Sequence, residues 1–213
     1  MDDTAWTMLL EGAWATLWIS GTAIAIGVVL GLCVALLRRQ GIGWINKPLT
    51  LYVSLARATP LVTLTLFVFL GAPSLGIDLD RNVAAVIALT LNTTSFNAEI
   101  WRSAFLSFPR EQIEAASASG MTPWLTFRRI MLPQMFLTSL PGLINEMSFL
   151  IKTSPAVAVI GVVDLTRVTN RIAAVTYEPL PPILAAAAMY MALIGVMVFL
   201  QRRADAHVHR LSM

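Results

Sequence analysis

The segment that decides the fold reads Glu114-Ala115-Ala116, continues to Gly120 and ends at Pro133. It is polar and amphipathic, whereas long apolar stretches lie on both sides of it. A membrane protein that keeps such a segment between two apolar stretches exposes it to water, where a partner protein can bind it. We therefore expect 107–133 to be a cytoplasmic docking loop; the alternative is an ordinary amphipathic loop lying on the membrane surface.

The composition is that of a membrane protein, since 57% of the 213 residues are hydrophobic and only 13% are charged. A soluble monomer needs more polar surface, and a soluble all-helical protein would not contain such long apolar runs. The one cysteine, Cys33, excludes an internal disulfide framework and most thiolate metal sites. The net charge of +3 is small and the basic residues lie in short loops, so we expect no nucleic-acid-binding surface.

Five apolar stretches are candidates to cross a bilayer. They lie at 13–37, 49–70, 83–106, 136–151 and 181–200, with Arg57 and Pro60 interrupting the second and Pro141 inside the fourth. The apolar stretch 156–163 is too short to span, so we expect a re-entrant or interfacial piece there. The sequence thus predicts one all-α domain over 1–213, a polytopic bundle of about five transmembrane helices with a cytoplasmic coupling helix.

The distribution of Lys and Arg sets the predicted orientation, because these residues are enriched in cytoplasmic loops. With the N-terminus outside, the inside loops hold ten basic residues and the outside loops hold three. The inside set is Arg38, Arg39, Lys47, Arg102, Arg110, Arg128, Arg129, Arg202, Arg203 and Arg210; the outside set is Arg81, Arg167 and Arg171. The sequence therefore predicts that the N-terminus is outside and the C-terminus inside.

The docking loop is predicted to form two short helices. Pro109 suits a first helical turn, and Gly120 can take the left-handed conformation that ends a helix. Thr122 is expected to cap the second helix, which has Pro123 at its first position and ends at Pro133.

Polar and ionisable side chains within apolar spans are costly, so they mark candidate positions on a translocation path. The candidates are Arg57, Asn92, Ser95, Glu99, Asn145, Glu146 and Lys152. The three on the third span share one helix face, because their spacings are three and four residues. Glu99 or Glu146 would accept from the ammonium of a zwitterionic substrate, and Arg57 or Lys152 would donate to its carboxylate. The alternative is that these charged groups pair with one another and hold the bundle together.

No catalytic or nucleotide-binding motif occurs in the sequence. It lacks the Gly-x4-Gly-Lys-Ser/Thr pattern of a P-loop, so any ATP hydrolysis belongs to another polypeptide. It also lacks a nucleophile elbow and a His-Glu-x-x-His pattern, and His207 and His209 lie in a polar tail. We expect a non-catalytic chain that binds neither a metal ion nor a cofactor.

Four motifs, one of which contains the Glu114-Ala115-Ala116 of the docking loop, occur in order along the chain: Arg57-Ala58-Thr59-Pro60-Leu61, Asn97-Ala98-Glu99-Ile100-Trp101-Arg102, Pro109-Arg110-Glu111-Gln112-Ile113-Glu114-Ala115-Ala116 and Lys152-Thr153-Ser154. In the same order, they resemble four motifs of the permease subunits of the polar amino acid ABC uptake family: Arg-Gly-Thr-Pro-Leu, Ala-Glu-Ile-x-Arg, Pro-x-Gly-Gln-x-Glu-Ala-Ala and Lys-Asp-Thr-Ser. Three departures, namely Ala58 and Glu111 in place of Gly and the missing Asp after Lys152, leave the substrate open. A polar amino acid, an opine, a related amine or a sulfur amino acid would fit.

The resemblance implies a multi-pass permease of the bacterial cytoplasmic membrane with the type I importer fold, working by alternating access. It implies a dimer of ABC ATPase subunits that binds ATP and Mg²⁺, a second permease subunit that is identical or homologous, and an extracytoplasmic solute-binding protein, all around a chain embedded in membrane lipid. Docking on the ATPase would use Glu114, Ala115, Ala116, Gly120 and Pro133, with Glu114 making a polar contact and Gly120 supplying the bend.

Two other classes of protein fit parts of the sequence. An ion-coupled secondary carrier or small channel would use Glu99 and Glu146 as proton or cation sites, but five spans without an evident internal repeat argue against it. An intramembrane enzyme would need a nucleophile and a base, and no such pair is recognisable.

Overall fold

The computed structural model describes the backbone of residues 2–211 and the side chains of residues 2–206, so His207 and His209 lie outside the described side chains. In this part of the chain all regular structure is helical, which confirms the all-α fold class. The α-helices are α1 (Asp3–Arg39), α2 (Gly43–Ala58), α3 (Leu61–Gly71), α4 (Arg81–Leu106), α5 (Arg110–Ala118), α6 (Pro123–Thr126), α7 (Leu132–Thr153), α8 (Leu165–Thr176) and α9 (Leu180–Leu211).

Helices α1 and α4 pack side by side at the centre of the bundle. Their backbones approach closely because two glycines of α1 leave no side chain between them. A Cβ atom at Gly31 would lie 2.6 Å from the Asn97 Cβ atom, and one at Gly27 would overlap the Thr93 methyl group. Only glycine fits this contact without displacing α4.

The polar side chains of α4 are buried within the protein. Thr93 and Ser95 have no exposed surface, and Asn92 is 5% exposed. Helix α4 contacts α1, α2, α3 and α7, so neighbouring helices cover most of its surface. The Ser95 hydroxyl donates to the Asn92 carbonyl oxygen at 2.6 Å, which satisfies it inside the helix. The polarity of this span is therefore compatible with a membrane because little of it faces lipid.

The second predicted span consists of two helices. Helices α2 and α3 meet at a bend of 116° across Thr59 and Pro60. Pro60 has no N–H with which to continue the hydrogen-bond ladder of α2, and it restricts Thr59 to an extended conformation (φ −85°, ψ 128°). The two helices pass the length and apolarity required of a membrane span only when they are taken together.

The direction of packing indicates how many times the chain crosses the membrane. The contacts of Gly27 and Gly31 advance along α4 from Thr93 to Asn97, so α1 and α4 are parallel. The chain must return between them, which makes the bent pair α2–α3 one crossing. Helix α7 runs antiparallel to α4. Length and composition allow four or five spans, and the parallel pair selects five. Which end faces the cytoplasm stays a prediction.

The prediction that Pro133 ends the second short helix is wrong. After α6 the chain makes a π-helical turn, Phe127–Met131, and continues directly into α7 with Pro133 in its first turn. In this turn the Leu132 N–H donates to the Phe127 carbonyl oxygen, five residues back. The wider turn shifts the hydrogen-bond register and accommodates the ring and the missing N–H of the proline. The docking loop therefore joins the fourth predicted span without a break.

The short apolar stretch 156–163 lies in a 3-10 segment, Ser154–Ile160, and the turn that follows it. Val157, Ile160 and Val162 are buried in the main apolar core, so protein surrounds this piece. The amphipathic helix α8 comes next, and no predicted element covers it. Its sequence signal is the cap residue Asp164 followed by buried apolar residues at positions 165, 168 and 172.

Candidate coupling segment and polar path

Helix α5 has one face toward the bundle and one face free. Glu114 and Ala115 are exposed, whereas Ala116 is 4% exposed and points inward. The Gln134 side-chain amide donates to the Gln112 side-chain oxygen at 2.8 Å, which ties α5 to the start of α7. The free face thus presents Glu114 and Ala115 to a partner on a helix that is held from behind.

A sharp turn centred on Gly120 ends α5. Gly120 has φ +77°, the left-handed conformation predicted for it. The Gly120 N–H donates to the Ser117 carbonyl oxygen and the Met121 N–H to the Ala116 carbonyl oxygen, each at 3.0 Å. This pair of bonds is a Schellman motif, and Thr122 caps α6 directly after it, as predicted. No atom lies within 4 Å of a Cβ atom built on Gly120, so the glycine is needed for conformation and not for space.

An apolar cluster joins the docking loop to the spans. Ala104 near the end of α4 and Phe108 just after it are buried against Met131 of the π turn and Met135 of α7, and Ile113 of α5 packs on them. The aromatic rings of Phe105, Phe127 and Trp124 extend this contact, and the Arg39 guanidinium at the end of α1 lies 4.9 Å above the Phe105 ring. A displacement of α5 would therefore reach α1, α4 and α7 through packed side chains.

Glu99 of α4 is surrounded by three arginines from three helices. Its Oε1 lies 2.5 Å from Arg38 Nη1, and its Oε2 lies 2.8 Å from Arg102 Nη2 and 2.9 Å from Arg102 Nε. Arg57 Nη1 is further away, 4.0 Å from Oε2. Both carboxylate oxygens of Glu99 are thus hydrogen-bonded to arginines of the same chain, which leaves this side chain little capacity to bind an ammonium group.

Glu146 of α7 lies in a different environment, although the sequence pattern of the two carboxylates is similar. It is 6% exposed, beside the Thr93 hydroxyl and within the field of Arg57. Its Oε1 has no hydrogen-bond partner among the described residues. The structure therefore brings Arg57, Glu99 and Glu146 together. Of the two carboxylates, Glu146 has an oxygen atom, Oε1, that is available to accept a hydrogen bond.

The other four candidates lie apart from this group. Asn92 and Ser95 are enclosed between helices. Asn145 is exposed, one position round the helix from the buried Glu146. Lys152 is exposed in a groove of about 510 Å³ that it shares with Arg202 and residues of α9. Arg57, Asn92, Ser95 and Asn145 are not among the residues that line this groove.

Sequence reasoning missed two members of the charged group, Arg38 and Arg102. Arg102 follows Glu99 by three residues on one helix, a spacing that favours an ion pair. Arg38 belongs to α1, and no local pattern indicates that it contacts α4.

The chain matches the family model described as binding-protein-dependent transport system inner membrane component over residues 14–210. It is 36% identical over 201 residues to the glutamine transport system permease protein GlnP of Escherichia coli K12, covering 93% of this chain and 91% of that protein. It is 33% identical over 201 residues to the arginine transport system permease protein ArtQ of Bacillus subtilis 168, covering 92% of this chain and 90% of that protein.

Solved structures agree with these relatives. The chain is similar to one from the crystal structure of an amino acid ABC transporter with histidines, with 31% identity, a TM-score of 0.85 and coverage of 96% of this chain and 94% of that one. It also shares its fold with a chain of the MetNI methionine ABC transporter in an inward-facing conformation, at 21% identity and a TM-score of 0.83, covering 98% of this chain and 99% of that one. These findings confirm the permease interpretation over that of a secondary carrier or channel. The chain belongs to the family of binding-protein-dependent transport system inner membrane components, as a membrane permease subunit of an ABC importer.

Proposed function

We propose that this chain carries a polar amino acid, or a related small solute, across the bacterial inner membrane into the cytoplasm. Membership of the family implies an ABC ATPase partner and a second permease subunit. The observation that supports the substrate class is the kinship with permeases named for glutamine and arginine over nine-tenths of the chain. A solute-binding protein would deliver the solute at the outer face.

The docking loop would receive the movement of the ATPase. Glu114 and Ala115 lie on the free face of α5, where a polar contact to an ATPase subunit is sterically open. ATP and Mg²⁺ would be bound on the ATPase subunits, and this chain would take no part in the chemistry. Closure of the ATPase pair would displace α5, and the apolar cluster behind it would pass the displacement to α4 and α7. Gly120 and the π turn before Pro133 would set the orientation of α5 relative to α4 and α7.

The path for a zwitterionic solute would run beside Arg57 and Glu146. Arg57 is half-exposed, and a guanidinium group matches a carboxylate in shape and charge. Glu146 has an unpaired carboxylate oxygen that would accept from an ammonium group. Asn145 and Lys152, which are exposed on a single chain, would extend the path where the second permease subunit faces this one. Asn92, Ser95 and Glu99 would support the path from within the bundle.

The test is ATP hydrolysis by the complex reconstituted with its ATPase, partner permease and solute-binding protein, measured with a panel of amino acids that includes glutamine, arginine, histidine and methionine. We expect one or a few of them to raise the rate. Glu114→Ala should reduce the increase by about tenfold, because it removes a charge-assisted contact to the ATPase.

The matched control is Glu11→Gln, which removes an exposed carboxylate of α1 far from the docking loop and should leave the stimulated rate unchanged. Uptake that follows a proton or sodium gradient without an ATPase would contradict the proposal. Stimulation by none of the amino acids would refute the substrate class alone.

A further inference from the structure

The half-exposed Arg57 guanidinium has no hydrogen-bonded partner among the described side chains. It lies 4.0 Å from Glu99 Oε2, beyond hydrogen-bonding distance, and 5.3 Å above the Phe96 ring. Among the described side chains we find no acceptor for its N–H groups, and 44% of the side chain is exposed. By contrast, the Arg38 side chain, which is hydrogen-bonded to Glu99, is 13% exposed.

The charges around Glu99 do not balance. Three guanidinium groups face Glu99, and Glu146 is the other carboxylate near Arg57, so the group carries a formal net charge of +1. An excess of positive charge is costly in a membrane bundle, so a further carboxylate entering this place would be stabilised. Arg57 is the arginine that can receive it, because Arg38 and Arg102 already bond to the two oxygens of Glu99.

Arg57 also lies next to the bend of the second span. It lies in the last turn of α2, immediately before the 116° bend at Thr59 and Pro60. Its contact with Glu99 of α4 bridges this bend to the helix that leads into the docking loop. A change of partner at Arg57 would therefore release or fasten the end of α2 relative to α4.

From these contacts we infer that Glu99 is an internal substitute for the substrate carboxylate: held by Arg38 and Arg102, it occupies Arg57 in the empty permease and yields it to the carboxylate of the incoming solute. Glu99 is then a positioning residue and not a ligand of the solute, and Arg57 carries the selectivity for solutes with a free carboxylate. This inference rests on the proposed function, because it requires a solute with a carboxylate.

The two roles of Glu99 predict opposite effects of one substitution. If Glu99 competes with the solute for Arg57, Glu99→Gln should tighten solute binding by about threefold to fivefold, the value of one partly exposed ion pair. If Glu99 instead binds the ammonium group, the same change should weaken binding. If Glu99 only holds the bundle together, affinity should not change.

The experiment is equilibrium binding to the purified permease–ATPase complex without the solute-binding protein. The probes are L-arginine and L-glutamine and, for each, the amine that lacks the carboxylate, agmatine and 4-aminobutanamide. We expect Glu99→Gln to bind both amino acids more tightly and both amines with unchanged affinity. In an Arg57→Gln background the effect of Glu99→Gln should disappear, and each amino acid should lose its advantage over its amine.

Two further variants keep the test decisive. Glu99→Asp retains the charge but places it further from Arg57, so it should tighten amino acid binding by a smaller factor than Glu99→Gln. It serves as the test if Glu99→Gln assembles poorly. Glu178→Gln removes an exposed carboxylate elsewhere and should change nothing. Weaker or unchanged amino acid binding in both Glu99 variants would overturn the inference. Failure of the unaltered complex to bind any amino acid would instead refute the substrate class on which the inference rests.

Discussion

At the scale of single residues, the Asp164 carboxylate caps helix α8, but its burial disfavours the ionised form. It is 1% exposed between α1, α8 and α9, and its Oδ1 accepts from the Arg167 N–H at 2.9 Å. Its Oδ2 has no partner among the described residues. Burial raises the pKa of the Asp164 carboxyl above its ordinary value of 3.8, although the capping N–H groups and the Arg167 charge oppose the shift.

The sign of the pH dependence follows from this shift. Since the pKa is higher in the folded chain than in the unfolded chain, ionisation of Asp164 favours unfolding. Its stabilising contribution is complete below pH 3.8 and is lost as the pH rises through the raised value. Asp164→Asn keeps a capping oxygen without the charge, so it should raise the melting temperature at pH 7 by about 2–4 °C and lose this advantage toward pH 4.

The measurement is thermal unfolding of the purified permease in detergent between pH 4 and pH 8. Asp164→Ala, which loses the cap as well, should be less stable than the Asn variant at every pH. A lower melting temperature for Asp164→Asn at pH 7 would show that the ionised carboxylate makes a net favourable contact, contrary to this account.

Residue types alone identified charged positions in the spans but did not rank them. Glu99 and Glu146 are both acidic residues within apolar stretches, and the sequence treats them alike. What separates them is Arg38, which reaches Glu99 from a helix distant in sequence. Contacts between helices distant in sequence decide such roles, and a single sequence carries little information about them.

At the scale of elements, the docking loop shows which local signals can be trusted. The caps and the left-handed glycine depend on neighbouring residues, and Gly120 and Thr122 were predicted correctly from them. The prediction of a break at Pro133 is wrong because it assumes an uninterrupted α-helical register. The π turn before Pro133 changes that register, and no residue type predicts a π turn.

Gly120→Val should uncouple ATP hydrolysis from the solute while leaving the protein in the membrane. A side chain there must adopt φ +77°, which costs about 1–2 kcal/mol, yet no atom lies within 4 Å of its Cβ atom. The turn should therefore open and shift α5 without damage to the bundle. The readouts are the amount of permease in the membrane and the stimulated rate of ATP hydrolysis.

Gly21→Ala is the matched control for this prediction. It also adds carbon where no atom lies within 4 Å, but on the regular helix α1 and without a positive φ. It should hydrolyse ATP like the unaltered complex. Normal stimulation of Gly120→Val would show that the turn is not needed for coupling, and loss of the protein from the membrane would assign Gly120 a purely structural role.

At the scale of the whole molecule, five crossings place α5 and α8 at opposite ends of the bundle. The apolar stretches were visible in the sequence because span length follows from bilayer thickness. The interruption of the second span at Pro60 is also visible there, whereas the 116° angle of the bend and the packing of 156–163 are not, since both depend on neighbouring helices. The charge distribution predicts that α5 faces the cytoplasm and α8 the exterior.

Cysteine labelling tests this orientation. In a Cys33→Ala background, which removes the one native thiol, single cysteines would replace the exposed residues Ser119 and Asn170. A membrane-impermeant maleimide should label Asn170→Cys in cells whose inner membrane is intact, and Ser119→Cys only after that membrane is opened. The reverse pattern would place the N-terminus inside and remove the docking loop from reach of a cytoplasmic ATPase.

The central position of α4 also bears on how the chain is made. Helix α4 is less apolar than α1 and α9, and more of it is covered by protein, 61% of its span against 33% and 11%. If α4 left the translocon without a partner helix, it would partition poorly into lipid. The glycine face of α1 lets α4 pack closely against it and covers part of its polar surface. We therefore expect α1 to remain beside the translocon until α4 is synthesised. Helices α1 to α4 would then enter the bilayer together.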